Sequence, residues 1–112
     1  MTITQLLSNL SNQQAQFKDV LGYIEEHYHY QASAFKNGKQ ENSSNENQGS
    51  AKVLYFAKLE NLSQEDTLSL FAEHFQAVLD LPHGEDHQNI RQFMENGWDG
   101  VSFESTVLVP KG

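Results

Sequence analysis

The segment HGEDHQNIRQFMENGW, residues 83–98, sets the only arginine of the chain among histidines and carboxylates, around a short apolar stripe. The stripe has the spacing of one helical face, with apolar side chains at Ile90, Phe93 and Met94. A helix is therefore predicted to begin at Asp86, a favourable capping residue, and to end at Gly97, which adopts the left-handed conformation readily. In this interpretation Arg91 pairs with Glu95 one turn later, and only the histidines have no structural role.

The same segment also fits a catalytic or metal-binding site. His83 and His87 are four residues apart, but the proline and glycine beside His83 place it before the helix. The two histidines would then not share a helical face, as the ligands of an H-E-x-x-H zinc site do. Asp86 and His87 need a third ligand, and the candidate is His74, on the apolar face of another predicted helix, where partial burial is expected. No ligand spacing is diagnostic, so we predict no metal and no cofactor.

Length, composition and charge exclude several classes of protein. A chain of 112 residues, 38% of them hydrophobic, predicts one folded domain with a single core. Fifteen acidic and seven scattered basic residues give a net charge of -8, which disfavours nucleic acid as a partner. No apolar run approaches the roughly 20 residues of a membrane span, so no membrane insertion is expected. We see no secretory signal peptide, and the lack of cysteine excludes disulfides and thiolate chemistry.

Hydrophobic periodicity predicts a mainly α-helical domain of about four to five helices. Besides the helix that begins at Asp86, one is predicted over residues 12–28. Another is predicted to begin at Ser50, and its apolar circumference indicates a central, largely buried position. A further helix is predicted to begin at Ser63, whose hydroxyl can cap a first turn containing acids, and to end at residues 81–82, Leu-Pro.

The first sixteen residues contain no charged side chain and are rich in Thr, Ser, Asn and Gln. A short helix over residues 1–12, capped by Thr2, is predicted by apolar side chains at Ile3, Leu6, Leu7 and Leu10. An uncharged polar amino terminus is also typical of the leader of a type III secreted protein. The two interpretations are compatible if export requires this segment to unfold.

Two segments have the alternating polar and apolar pattern of half-buried strands. They are HYHYQASAF at residues 27–35 and the stretch over residues 101–109, and their pairing would give a short two-stranded β element. Between them, residues 36–50 contain no apolar side chain, which predicts a mobile polar loop. The alternative is a binding loop, because a long irregular loop inside a small domain often carries function.

Several stretches resemble the HopJ type III effector family: YQASAFKNG (30–38), NENQGSAK (45–52), FAKLENLSQEDTLSLFAEHF (56–75) and DHQNIRQFMENGWDGVSFE (86–104). The resemblance extends from about Phe17 to Glu104, and DHQNIRQFMENGW is its most specific part. It implies a small protein held in the bacterial cytoplasm before export through a type III secretion system, with a protein partner, for example of a host cell. It implies no particular reaction and carries over no catalytic residue.

The positions that match the family pattern include Asn37, Gly38 and Gly49. Together with His74, the remaining polar positions of that pattern form the candidate site: Asn47, Ser50, Lys52, Asp86, His87, Asn89, Arg91 and Trp98. A helix cap explains Asp86 but not the others. Either they build a buried polar network, which can fix a fold without doing chemistry, or the loop and the helix line a common site.

The leading hypothesis for function is an effector-like protein that binds a partner. The alternative is a cytoplasmic hydrolase-like or metal-assisted enzyme that uses Asp86, His87 and His74. A third, an acidic secretion-chaperone-like module, rests only on size and charge. An enzyme requires His74 and His87 about one small molecule apart in a concave pocket. A binding protein would instead expose an apolar patch, for which Trp98 and Phe103 are the candidates.

Overall fold

The computed structural model describes residues 2–111, and its secondary structure is mainly helical, as predicted. The helices in this range are α1 (Ile3–Ser11), α2 (Phe17–His27), α3 (Gln48–Leu59), α4 (Gln64–Ser69), α5 (Glu73–Asp80) and α6 (Gln88–Asn96), followed by a 3-10 turn (Gly97–Gly100). The strands are β1 (Tyr28–Tyr30), β2 (Phe35–Asn37), β3 (Gln40–Asn42), β4 (Val101–Phe103) and β5 (Leu108–Pro110). The helices exceed the four to five predicted because one predicted helix is divided.

Helix α1 forms as predicted, with Thr2 as its cap. The Thr2 hydroxyl accepts a hydrogen bond from the Gln5 amide at 3.1 Å, and the Gln5 side chain accepts one from the Thr2 amide at 2.8 Å. This reciprocal pair satisfies two of the free donors at the start of the helix. Leu6 is fully buried in the core. The uncharged amino-terminal segment is therefore a docked helix in the folded protein.

Helix α2 is shorter than predicted, because α1 ends at Ser11 and the chain turns before α2 begins. Gln13 has a positive φ of 59°, which no continuing helix would contain. The start of α2 is then fixed by the Asp19 carboxylate, which accepts a hydrogen bond from the Gln16 amide at 2.8 Å. The prediction of one helix from residue 12 is wrong at its amino-terminal end.

The helix predicted from Ser63 is divided into α4 and α5. Its predicted cap is confirmed, since the Ser63 hydroxyl accepts a hydrogen bond from the Asp66 amide at 3.0 Å. The helix is interrupted at Ala72, which has φ 52° and ψ -123°. Leu70 and Phe71, just before the break, are both buried in the core. The single helix predicted from periodicity is therefore two helices in the structure.

The prediction of a mobile loop over residues 36–50 is wrong. Except for Phe35, a β-hairpin lies within this segment: β2 pairs antiparallel with β3, and Phe35 lies opposite Asn42. Gly38 takes the positive φ of 60° that the turn between the strands requires. Polar side chains are buried here in place of apolar ones, and Asn37 and Asn42 are almost inaccessible. Helix α3 then begins at Gln48, so the predicted cap, Ser50, lies inside its first turn.

The strand predicted over residues 101–109 is divided into β4 and β5. Strand β5 pairs antiparallel with β1, as the predicted two-stranded element requires, with Tyr30 opposite Leu108. Strand β4 instead joins the hairpin, with Phe103 opposite Phe35, and the sheet has the order β3-β2-β4. Two small sheets therefore replace one.

Helix α3 is central and largely buried, as its sequence predicts. Val53, Leu54 and Phe56 are inaccessible to solvent. The rings of Tyr23 and Tyr28 each meet Phe56 edge to face at 5.7 Å. At 12 residues it is the longest helix, and none within residues 2–111 has the length and hydropathy to cross a bilayer.

Replacing Leu6 by alanine should lower the free energy of unfolding by about 2–5 kcal/mol, because the buried side chain leaves a cavity under α1. Thr4→Ala, exposed on the same helix, is the matched control and should change it by less than about 0.5 kcal/mol. Urea denaturation followed by circular dichroism measures both. Equal effects of the two substitutions would contradict the docked position of α1.

Candidate functional site

A cavity of about 310 Å³ opens where the first residues of α2, α3, α5 and α6 meet. Its aromatic wall consists of Phe17 and Phe71, whose rings stack at a centroid distance of 6.1 Å. Two histidines, His74 and His87, also line it. The remaining wall belongs to the starts of α3 and α6, namely Asn47, Gly49, Ser50, Gln88, Asn89 and Ile90. Five of the nine predicted site residues thus share one cavity: Asn47, Ser50, His74, His87 and Asn89.

The histidines of this cavity lie side by side. The ring centroids of His74 and His87 are 5.1 Å apart, and the ring planes are tilted by 41°. Phe17 meets His74 edge to face at 4.8 Å. Within residues 2–111, neither the His74 ring nor the His87 ring makes a hydrogen bond. The His27 ring does make one. The geometry that an enzyme or ligand site requires of the two histidines is therefore present.

His87 reaches the cavity because it precedes α6 in the left-handed conformation, with φ 51° and ψ 47°. It is the capping residue of α6, so the prediction that Asp86 caps this helix is wrong. A left-handed residue other than glycine costs roughly 1–2 kcal/mol. The helix ends at Gly97 as predicted, with a positive φ of 60° but a ψ of -151°, outside the left-handed helical region.

Helix α3 begins in the same manner as α6. Its capping residue, Asn47, is left-handed with φ 50° and ψ 38°, and neither helix has a hydrogen bond from a capping side chain. The backbone N–H groups of Gly49, Ser50, Gln88 and Asn89 have no hydrogen-bond partner within residues 2–111. Two helix starts with free donors therefore line one cavity.

A cluster of asparagines, buried at positions 37, 42 and 89 and exposed at position 47, positions both helix starts. Asn42 Oδ1 accepts hydrogen bonds from Asn47 Nδ2 at 2.7 Å and from Asn89 Nδ2 at 3.1 Å. Asn37 Nδ2 donates to the Asn89 carbonyl at 2.7 Å, and Asn37 Oδ1 has no partner in the described range. Asn47 and Asn89 therefore belong both to a polar network and to the wall of the cavity, so the two alternatives predicted from the sequence do not exclude each other. Sequence reasoning missed Asn42, because its role depends on the hairpin register.

Arg91 lies outside the cavity and closes the loop that precedes α6. Its Nη2 donates to Asp86 Oδ1 at 2.6 Å, and its Nη1 donates to the Leu81 carbonyl at 2.9 Å. The predicted pair of Arg91 with Glu95 is therefore wrong. The hydrogen bond from Arg91 lowers the pKa of the Asp86 carboxyl. The second carboxylate oxygen of Asp86 lies 3.9 Å from His87 Nε2, beyond hydrogen-bonding distance.

Lys52 and Trp98 also lie away from the cavity. The Lys52 ammonium lies over the Tyr30 ring, 4.3 Å from its centroid. Trp98 packs edge to face on Phe93 at 4.9 Å, and Phe103 stacks on the Phe35 ring at 5.6 Å. Trp98 and Phe103 are both only half-buried, but their rings are engaged with neighbours inside the domain. The more exposed large apolar side chains are spread over several elements and do not include either residue: Tyr30, Leu59, Leu79, Leu81, Met94 and Val109.

The hypothesised metal ligands Asp86, His87 and His74 do not form a coordination set. Within residues 2–111 no three histidine or carboxylate side chains are close enough together to hold a metal ion. Asp86 is instead bound to Arg91. The chemistry available at the cavity is that of two imidazoles, a hydroxyl and backbone donors.

Asn42→Ala should lower the free energy of unfolding by about 1–3 kcal/mol, because it leaves the buried side-chain amide of Asn89 without its acceptor and removes the hydrogen bond from the exposed Asn47. Ser44→Ala, at an exposed position of the next turn, is the control and should have almost no effect. Chemical denaturation gives both values. Stability of Asn42→Ala equal to that of the control would exclude a structural role for the asparagine cluster.

The ionised Asp86 carboxylate should stabilise the folded protein near neutral pH and not in strong acid. Because the pKa of Asp86 is lower in the folded state, its carboxylate contributes fully to the free energy of unfolding above the usual carboxyl pKa of about 4. That contribution is lost as the pH falls through the pKa of the folded state. The difference in melting temperature between Asp86→Asn and the unmodified protein should therefore be largest above about pH 5 and shrink towards pH 2. Glu85→Gln, at the exposed neighbouring position, is the control. A difference that stays constant with pH would contradict the ion pair.

Comparison with known proteins identifies the family. The sequence model of the HopJ type III effector protein family matches residues 3–108, which confirms the resemblance seen in the sequence. A crystal structure described as that of the unknown function protein VPA0580 is similar to this chain, with a TM-score of 0.90, 38% identity, and coverage of 99% of this chain and 95% of that one. No curated protein matches significantly. Because the family match extends over nearly the whole sequence, the chain belongs to the HopJ type III effector protein family.

Proposed function

We propose that this chain is an effector-like protein that acts by binding a partner, and that the cavity at His74 and His87 is its recognition site. One observation carries the proposal: two imidazoles 5.1 Å apart, without hydrogen bonds inside the described range, line a concave surface. Both rings are half-buried, so their nitrogens are accessible from the cavity. Polar groups left free at a concave wall are typical of a binding site.

The size and lining of the cavity limit what it binds. Its volume of about 310 Å³ is at the lower end of the range of small-molecule sites, roughly 300–1,000 Å³. It accommodates a small molecule or one side chain of a protein partner. Phe17 and Phe71 offer apolar and aromatic contact area on one side, and the free polar groups on the other side give orientation.

The amino-terminal segment supports export as the second part of the proposal. Residues 1–16 contain no charged side chain, and within them α1 is held to the core through Leu6. Passage through a narrow secretion channel requires an unfolded chain, so α1 has to leave the core before export. The leader and the docked helix are then two states of one segment.

Export should depend on a type III secretion apparatus. A carboxy-terminally tagged chain should be found in the culture supernatant of a strain with a working apparatus and only in the cell pellet of a strain without one. Deletion of residues 2–16 should abolish export, whereas Leu6→Ala, which loosens α1 without removing it, should not. Retention of the tagged chain under inducing conditions would overturn this part of the proposal.

Binding at the cavity should be detectable with a fragment library that contains cationic, neutral and anionic members. Ligand-observed NMR should find fragments whose affinity falls about tenfold or more in His74→Gln and in His87→Asn, since each variant removes one imidazole contact. Asparagine at position 87 retains tolerance of the left-handed conformation. His83→Asn, at an exposed histidine outside the cavity, is the matched control. Failure of every fragment to bind at the cavity would contradict a recognition role.

A hydrolase-like enzyme is the second candidate, and the proximity of the two histidines favours it. Neighbouring imidazoles can serve as general acid and general base near neutral pH. Asp86 is less suited to a direct part, because its carboxylate is bound to Arg91. Fragments containing an ester or phosphoester separate the two functions. Slow conversion of such a fragment, lost in His74→Gln, would indicate an enzyme, whereas binding without conversion would indicate recognition alone.

A further inference from the structure

We propose that the cavity binds a compact anionic group, of the phosphate or carboxylate class, beside the imidazoles of His74 and His87. The inference rests on the recognition role proposed above and specifies the ligand. It starts from the histidine pair itself. Two imidazoles whose centroids are 5.1 Å apart repel each other when both are protonated, and an anion beside them removes that repulsion. Proton uptake and anion binding at this site would therefore favour each other.

The charges around the cavity support an anion. The protein carries fifteen acidic residues and a net charge of -8. None of the cavity-lining side chains within residues 2–111 is an aspartate or a glutamate. The wall is thus free of carboxylates in a protein that has an excess of them. A cationic ligand would find no counter-charge there, whereas an anion meets no repulsion from the wall itself.

The carboxylates next in sequence to the two histidines are bound to other groups. Asp86, next to His87, is bound to the Arg91 guanidinium at 2.6 Å. Glu73, next to His74, accepts a hydrogen bond from the Phe17 amide at 2.7 Å. The free oxygen of Asp86 lies 3.9 Å from His87 Nε2, beyond hydrogen-bonding distance, so within residues 2–111 neither acid is hydrogen-bonded to an imidazole.

The backbone donors of the wall add to the same preference. The amides of Gly49, Ser50, Gln88 and Asn89 belong to the first turns of α3 and α6 and have no partner within residues 2–111. A helix start favours negative charge through its free N–H groups and its dipole. Asn47 would be a good cap for α3, but its side chain is bonded to Asn42. A bound anion would serve as the missing cap.

The probe for this inference is sulfate, whose charge is constant between pH 6 and 8, with acetate as the carboxylate probe and chloride as the control for ionic strength. Amide shifts in a ¹H–¹⁵N spectrum should saturate at Gly49, Ser50, Gln88 and Asn89. Because a protonated imidazole attracts an anion and a neutral one does not, the affinity should rise about tenfold from pH 8 to pH 6. His74→Gln and His87→Asn should each weaken binding about tenfold and flatten this pH dependence, and His83→Asn should not.

Sulfate and acetate separate the two anion classes, according to which one binds more tightly. Shifts that spread over the surface, or that are unchanged in both histidine variants, would indicate an adventitious ion only and overturn the inference. If neutral or cationic fragments bind the cavity while both anions fail, the anion class is wrong and the recognition role stands. If neither fragments nor anions bind there, the recognition role fails as well. Well-dispersed spectra of both variants establish that they are folded.

Discussion

A single buried oxygen, the Oδ1 of Asn42, connects two of the four helix starts that define the cavity. It accepts from Asn47 at 2.7 Å and from Asn89 at 3.1 Å, so the hairpin, the start of α3 and the start of α6 share one acceptor. An apolar residue could fill the same volume, but it would offer no acceptor to the amide groups of Asn47 and Asn89. Hydrogen bonds in a buried setting are directional and strong, which makes the relative placement of the helix starts unique.

This arrangement trades stability for an open cavity. Asn47 belongs to the residue class that best caps helices, and such a cap is worth about 1 kcal/mol. Its side chain serves as an anchor instead, and both Asn47 and His87 adopt a strained left-handed backbone. By contrast, Thr2 and Ser63 cap helices α1 and α4, which lie away from the cavity, through their side chains. The helix starts that lack a side-chain cap and carry left-handed residues are therefore those beside the two histidines. Locally unfavourable conformations of this kind are expected at functional sites.

The sequence was a good guide where local physics decides the structure. Periodicity correctly predicted α1 and the central α3, and side-chain chemistry correctly predicted the caps at Thr2 and Ser63 but not the cap of α3. Prediction failed where distant residues decide. The break at Ala72 depends on burial of its neighbours in the core, and the hairpin within residues 36–50 is stabilised by asparagines that resemble loop residues until their partner Asn89 is known. The cavity was predicted only as one of two alternatives, because proximity of His74 and His87 depends on that same tertiary packing.

The two ends of the chain are anchored in mechanically different ways. At the amino end, α1 is a single helix that packs on the core and belongs to neither sheet. Near the carboxyl end, β5 is hydrogen-bonded along β1, and this ladder continues from the Gln31 amide to the Val107 carbonyl and from the Lys111 amide to the His27 carbonyl. Tension applied at the amino end peels one helix from an apolar surface. Tension applied at the carboxyl end must instead break a row of backbone hydrogen bonds.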